Sequence, residues 1–180
     1  VINSLNRLCG PAIAIYDMRR VREDAHARFD AVSRTYKYFV IYNKSPFQNK
    51  FTWHSPAVLD MDSMNEAAEI LKHTSDFTSF AKLHSDAKTN ICSVTHALWQ
   101  PYRFSTGEDG AVFTISADRF LRNMVRAVVG TLVEVGRHKL DVEGFKSVIE
   151  KRDRCAAGIS MPASPLFLWD VQYPNEVFLL

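Results

Sequence analysis

The chain has 180 residues, 47% of them hydrophobic and 23% charged, and a formal net charge of +2. This balance excludes a disordered chain and predicts one globular domain over residues 1–180. No apolar run approaches the roughly 20 residues that a membrane-spanning helix needs, so we expect a cytoplasmic protein with no membrane partner. The three cysteines, Cys9, Cys92 and Cys155, form no C-x-x-C pair, and the six histidines are scattered, so no metal site is predicted.

Positive charge is concentrated near both ends of the chain. Residues 1–59 hold nine Lys or Arg against four Asp or Glu, and residues 119–180 hold nine against seven. Residues 60–118 are acidic, with four Lys or Arg against nine Asp or Glu. A fold that joins the two ends would form the positive surface typical of proteins that bind phosphate backbones, but ordinary solvated faces explain this distribution equally well.

The first predicted elements are a helix and two strands. The chain opens in a pattern typical of the last turns of an amphipathic helix, ended by Gly10 and Pro11. Natural chains seldom begin inside an element, and no Met stands first, so we expect that an upstream segment is missing. Residues 12–18 are mostly apolar and lie between turn signals, which predicts a strand. Residues 33–43 alternate strongly and give the clearest strand, with Arg34, Tyr36, Tyr38 and Tyr42 on one face.

The later elements follow from hydrophobic period and turn signals. Helices are predicted over residues 62–73, 119–135 and 141–151. Strands are predicted over residues 92–104 and 111–117, which form a hairpin, and over residues 166–173. The predicted strands are often joined directly and are mixed with helices. This pattern predicts an α+β fold in which helices pack on one face of a mostly antiparallel mixed sheet.

Three features have the residue types for function, although the chain lacks a Gly-rich phosphate loop, H-E-x-x-H and G-x-S-x-G. The tyrosine face around Tyr36 offers ring planes beside a guanidinium, as readers of single-stranded RNA do, but a core face explains it as well. Arg126 lies in a predicted apolar helix and needs a carboxylate or phosphate there, which a structural salt bridge would also supply. The loop over residues 161–165 could place Leu166 at the rim of a site, or in the core. Arg119 and Arg122 would share the helix side of Arg126.

Five motifs occur in an order that resembles the family of tRNA pseudouridine synthase A. They are H-A-R-F at 26–29, R-x-Y-x-Y at 34–38, D-F-T-S-F at 76–80, F-x-x-x-M-V-R-x-x-x-G at 120–130 and L-x-L-x-x-V-x-Y-P at 166–174. The resemblance extends over nearly the whole chain. Because each motif alone is short but all five keep the family's order, the resemblance favours a functional interpretation of the three features.

The resemblance implies an isomerase that converts uridine to pseudouridine in the anticodon arm of tRNA without a cofactor. An aspartate would attack the flipped uridine, the glycosidic bond would break, and the base would be rejoined through carbon. Tyr36 is implied to stack near the base and is a candidate for removing its C5 proton, Arg126 to pair with the catalytic aspartate, and Leu166 to close over the flipped base. Contacts with tRNA are implied for Arg28, Arg34, Tyr38 and Arg122, and the full-length protein is implied to be a homodimer.

Two departures from the family pattern matter. The family's aspartate stands in a G-R-T-D-A-G-V-H motif upstream of H-A-R-F, and no such motif occurs in this sequence. We therefore expect this chain to be the C-terminal half of a catalytic cleft and to be inactive alone. The second departure is Pro165, where the family usually has glycine. A non-catalytic RNA-binding module is the main alternative function, and a purely structural domain requires the motif order to be accidental.

Overall fold

The computed structural model describes residues 1–82 and 88–179. The chain divides into two compact units. The smaller unit is formed by residues 1–31 with the C-terminal residues from Tyr173 onward, and the larger unit by residues 32–172. Within the described residues, no helix is both long enough and apolar enough to span a membrane.

The smaller unit contains the helix α1 (Ile2–Leu8) and little other regular structure. The predicted strand at residues 12–18 is wrong, since all of these residues are described and none of them is in a strand. The Asn6 side chain instead bonds the backbone of Ile15, donating to its carbonyl and accepting from its N–H, both at 2.7 Å. A side chain thus satisfies backbone groups that a neighbouring strand would otherwise pair.

The larger unit is built on a five-stranded mixed sheet among the residues described. Its strands are β1 (Ser33–Ile41), β2 (Trp53–His54), β3 (Val94–Arg103), β4 (Asp109–Ala117) and β5 (Leu166–Gln172). β1 pairs with β4 along one side, while β5 and the short β2 pair with different parts of its other side. Only the β1–β2 pair is parallel in this sheet as described. The predicted mostly antiparallel α+β fold is therefore confirmed.

Two of the predicted helices agree with the structure to within two residues. α2 (Met61–Lys72) and α4 (Val142–Glu150) each begin after an aspartate whose carboxylate accepts a backbone N–H of the first turn. Asp60 accepts from Ser63 at 3.1 Å, and Asp141 accepts from Gly144 at 2.7 Å. Such caps satisfy N–H groups that have no partner inside the helix.

The third helix begins five residues later than predicted. α3 extends over Met124–Gly136, and the preceding Asn123 has the left-handed conformation, with φ 69°. Asparagine tolerates this conformation better than most residues, and one such residue interrupts the helical hydrogen-bond pattern. Arg119 and Arg122 therefore precede the helix and do not share a helix face with Arg126, which corrects the predicted arginine stripe.

The two faces of the sheet are packed differently. The main core lies between one face and the helices α2, α3 and α4, and includes Trp99, Phe113 and Ile115 from the sheet. The opposite face carries a smaller cluster formed by Phe39, Ile41, Phe104 and Val112, with Phe167 packed against it. The site described below lies where β1, β5 and the start of α3 meet on the helix-covered side.

Candidate active site

Strand β1 places two of the predicted tyrosines on the helix-covered face. Tyr36 is half-buried, and its ring packs edge-on against Phe120 with centroids 5.1 Å apart. Tyr38 is fully buried, at 0% exposure, so its side chain belongs to the core in this structure. The alternation of the sequence thus predicted the shared face, but only Tyr36 of the pair reaches solvent.

Strand β5 places two leucines beside these tyrosines. Leu166 is opposite Tyr38 in the register, and Leu168 is opposite Tyr36. Directly opposite residues of an antiparallel pair lie on the same face, so each leucine flanks a tyrosine ring. Leu168 is 54% exposed, and although it is the second leucine of the motif at 166–174, the sequence assigned it no role. Its place two residues after Leu166 on the same strand is the signal that would have found it.

The turn before β5 accommodates Pro165 without disturbing Leu166. The Leu166 N–H donates to the Ala163 carbonyl at 3.1 Å, and the Pro165 carbonyl accepts from the Phe39 N–H at 3.1 Å. No residue from 163 to 165 has a positive φ, so this turn does not require glycine. Leu166 is the first residue of β5 and packs against the main core while remaining half-buried.

Arg126 lies in the first turn of α3 and is tied to the loop before β5. Its Nε donates to the Met161 carbonyl, and its own carbonyl accepts from the Met161 N–H at 3.1 Å. The residue is half-buried. None of the carboxylates in residues 1–82 and 88–179 forms an ion pair with its guanidinium. A local salt bridge within the described chain therefore does not explain this arginine.

Tyr38 links the arginine to the strand. Its hydroxyl donates to the Pro162 carbonyl at 3.3 Å, next to the carbonyl that Arg126 bonds. Burial raises the pKa of the Tyr38 phenol well above its usual value, and the positive charge of Arg126 acts in the opposite direction. The phenol is therefore neutral at physiological pH, and the guanidinium lies close enough to influence it.

The other predicted contacts lie elsewhere or serve the fold. Arg34, on β1, donates to the Asp118 carbonyl at 2.6 Å. Arg122 is exposed in the turn before α3, and its carbonyl accepts from the Lys82 N–H at 3.1 Å. Arg28 belongs to the smaller unit, where its guanidinium lies 5.7 Å from the centroid of the Phe29 ring. The structure thus brings Tyr38, Leu166 and Arg126 together around one loop and leaves Arg28 in a separate unit.

The described atoms define what this arrangement can do chemically. A guanidinium presents planar donors that match a carboxylate or phosphate, and Arg126 uses only Nε within the described chain. The apolar surfaces of Tyr36, Phe120 and Leu168 lie on the same side of the sheet and would suit a stacked base. Among the described residues, no group of three His, Cys, Asp or Glu side chains could hold a metal ion.

Comparison with known sequences identifies the family of this chain. A family model described as tRNA pseudouridine synthase matches residues 67–174, a range that includes Arg126 and Leu166. The tRNA pseudouridine synthase A of Bacteroides thetaiotaomicron is 56% identical over 99% of this chain.

The chain belongs to the tRNA pseudouridine synthase family. The enzyme of the same name from Bacteroides fragilis is 54% identical over 99% of the chain, and that of Bacillus subtilis is 35% identical over 96%. The chain spans 65% of the length of the Bacteroides thetaiotaomicron synthase, 69% of that from Bacteroides fragilis and 68% of that from Bacillus subtilis. The synthase relatives are therefore longer than the sequence described here.

Proposed function

We propose that the protein to which this chain belongs isomerises uridine to pseudouridine in the anticodon arm of tRNA. The supporting observation is the half-buried Arg126, whose guanidinium has no carboxylate partner among the described residues and is held beside Tyr38 and the loop before β5. An arginine held in this way suits an acid supplied from outside the described chain.

In this proposal the nucleophilic aspartate comes from the part of the synthase that the chain does not span. Its carboxylate would attack the flipped uridine and would be kept ionised by Arg126, because a neighbouring positive charge favours the charged form of an acid. Breaking the N1 glycosidic bond frees the base as an anion, which turns and bonds to the sugar through C5 while the bond between the aspartate and the substrate breaks. The C5 proton then leaves and N1 takes up a proton. Tyr36 is the candidate that accepts the C5 proton, passing on its own hydroxyl proton in exchange. Residues 1–180 would form the C-terminal half of this cleft.

The apolar residues at the start of β5 would hold the flipped base. Leu166 is proposed to close over it, and Leu168 extends the same apolar surface beside Tyr36. Arg28, Arg34 and Arg122 are proposed contacts with tRNA, and because tRNA is the substrate we place the protein in the cytoplasm. Since its hydroxyl is bonded to Pro162 and its side chain is buried, Tyr38 would act by holding the loop rather than by touching the base.

We also propose that the full-length protein is a homodimer. The sheet face opposite the helices exposes Tyr102, Phe51 and Trp169 to solvent, at 39%, 52% and 56% respectively. Exposed aromatic patches of this kind are frequent at protein interfaces. Light scattering after gel filtration would measure the mass of the full-length protein, and a Trp169→Glu variant that dissociates would support this face as the contact. A monomeric wild-type protein would refute the homodimer.

The experiment that tests the proposed activity is tritium release from tRNA labelled at uridine C5. Forming pseudouridine replaces the C5–H bond with a bond to the sugar, so each turnover releases one labelled proton to water. The full-length protein should release tritium, and the chain of residues 1–180 alone should release none. Release by the chain alone would place the nucleophile within it. Binding of tRNA by the full-length protein without release would favour the RNA-binding module instead.

A further inference from the structure

Residues 158–162, which we call the α3-bound segment, lie along the first half of α3. The Gly158 N–H donates to Thr131 Oγ1 at 3.0 Å. A Cβ built on Gly130 would stand 1.9 Å from the Ile159 carbonyl oxygen, closer than any real contact. The segment therefore approaches the helix backbone at a point where a side chain is excluded, and glycine at position 130 makes this approach possible.

Ser160 connects this segment to two other parts of the larger unit. Its Oγ accepts from Asn123 Nδ2 at 2.5 Å and from the Arg154 guanidinium at 2.8 Å. Arg154 also donates to the Gly158 carbonyl at 3.1 Å. A hydroxyl oxygen has two lone pairs, so both of its acceptor positions are used. Ser160 thus joins the residue that precedes α3 to the chain that follows α4.

The next residue after Ser160 is the one that holds the arginine of the candidate site. The Met161 carbonyl accepts from Arg126 Nε, and the Met161 N–H donates to the Arg126 carbonyl. Because a guanidinium is rigid and planar, a fixed Nε bond restricts the directions in which its two terminal nitrogens can point. Displacing Ser160 would therefore turn the donors of Arg126 away from their partner.

We infer that Ser160 is a positioning residue for the isomerisation, acting through Met161 to orient the Arg126 guanidinium. This inference rests on the proposed function, and it assigns a role to a residue that lies outside the recognised motifs. Ser160 is half-buried in a loop, so water can replace its hydroxyl for Asn123 and Arg154 at modest cost to stability. Water cannot restore the orientation of the Arg126 guanidinium in this way. Small misplacements of catalytic groups reduce turnover strongly.

The test compares three variants of the full-length protein. Ser160→Ala removes the shared acceptor, and Ser160→Thr keeps a hydroxyl at the same position. Ser164→Ala is the matched control, because Ser164 is an exposed serine of the same loop. We expect Ser160→Ala to lower kcat about tenfold or more with little change in KM, since positioning acts on the chemical step rather than on binding. Ser160→Thr should recover most of the lost kcat, and Ser164→Ala should match the wild type.

Amide hydrogen exchange gives a second measurement that does not depend on activity. The Met161 amide bonds the Arg126 carbonyl, so its exchange reports whether the segment remains on α3. It should become about tenfold faster in Ser160→Ala than in Ser164→Ala, because a local opening becomes easier. If the wild type forms no pseudouridine, the proposed function fails, while unchanged exchange in Ser160→Ala shows separately that Ser160 does not hold the segment.

Two kinetic outcomes would overturn the inference. One is a kcat for Ser160→Ala equal to that of Ser164→Ala. The other is a loss of activity that follows the unfolded fraction, with a melting temperature lowered by more than about 5 °C and no rescue by Ser160→Thr, which would indicate a purely structural role.

Discussion

The two faces of the sheet are both rich in aromatic side chains, yet their surroundings differ. On the helix-covered face, Tyr38 is fully buried and Tyr36 is half-buried beside the start of α3. On the opposite face, the Phe39 ring contacts Tyr102 and Trp169, both of which remain partly exposed. Alternate residues of β1 thus supply both faces. The aromatic content of a strand therefore does not by itself locate a site, and the proposed site depends instead on Arg126, whose Nε is bonded to the Met161 carbonyl and whose guanidinium has no carboxylate partner among the described residues.

The largest loss of activity is expected when Arg126 is replaced, in comparison with an arginine outside the candidate site. In the full-length protein, Arg126→Met should lower kcat/KM about a thousandfold, because removing a preorganised charge from a site typically costs two to three orders of magnitude. Tritium release measures the effect. Arg103→Met is the control, since Arg103 is an exposed residue at the end of β3. Equal losses in both variants would contradict the special role of the start of α3.

The second largest effect compares a tyrosine on each face of the sheet. Tyr36→Phe should lower kcat about a hundredfold, because a proton-transfer group typically contributes at least that factor. The melting temperature should change little, since the ring that packs against Phe120 is retained. Tyr102→Phe removes a hydroxyl from the opposite face and should leave kcat unchanged in the same assay. A fall in kcat for Tyr102→Phe as large as that for Tyr36→Phe would remove the distinction between the faces.

The close contact between α3 and the α3-bound segment can be tested by a stability measurement. Gly130→Ala should lower the free energy of unfolding by about 1–3 kcal/mol, because the added methyl group overlaps the Ile159 carbonyl. Urea unfolding followed by fluorescence gives this value. Gly10→Ala is the control, since a Cβ there meets nothing within 4 Å and its φ is not positive. An unchanged free energy of unfolding for Gly130→Ala would show that the α3-bound segment moves away from α3 without cost.

The smallest effect is expected on the open face. The Lys37 ammonium lies 4.1 Å from the centroid of the Trp169 ring. Lys37→Met should lower the free energy of unfolding by about 0.5–1 kcal/mol, the usual range for a cation–π contact that keeps some solvent exposure, and should leave tritium release unchanged as long as the proposed homodimer still forms. A double-mutant cycle with Trp169→Leu would isolate the pair. Loss of activity without loss of stability would assign a functional role to this face.

Much of the fold could be predicted from local patterns. The helix that follows Asp60, the hairpin of β3 and β4, and the strand that begins at Leu166 all lie within a few residues of their predicted bounds. In these elements period, caps and turn residues agree with one another. The strand predicted at residues 12–18 is absent, and the side chain of Asn6 satisfies the backbone of Ile15 there, because apolar residues alone do not require a strand partner.

The candidate site was predictable only in part. The motifs selected Tyr36, Arg126 and Leu166, but hydrophobic period placed Arg126 in mid-helix, whereas the left-handed Asn123 starts the helix only three residues before it. The contacts that fix the site join residues far apart in sequence. Tyr38 bonds Pro162, 124 positions away, and Arg126 bonds Met161, 35 positions away. Pairings of this kind depend on tertiary packing, which no local pattern encodes.

A crystal structure of the full-length protein would show whether Arg126 has the acidic partner proposed for it. We expect an aspartate from outside residues 1–180 to place its carboxylate within about 4 Å of the terminal nitrogens of Arg126, the usual limit for an ion pair. We also expect Tyr36 and Leu166 to face the same carboxylate. An Arg126 guanidinium paired with an acid from residues 1–180, or facing no acid in the full-length protein, would contradict the proposal.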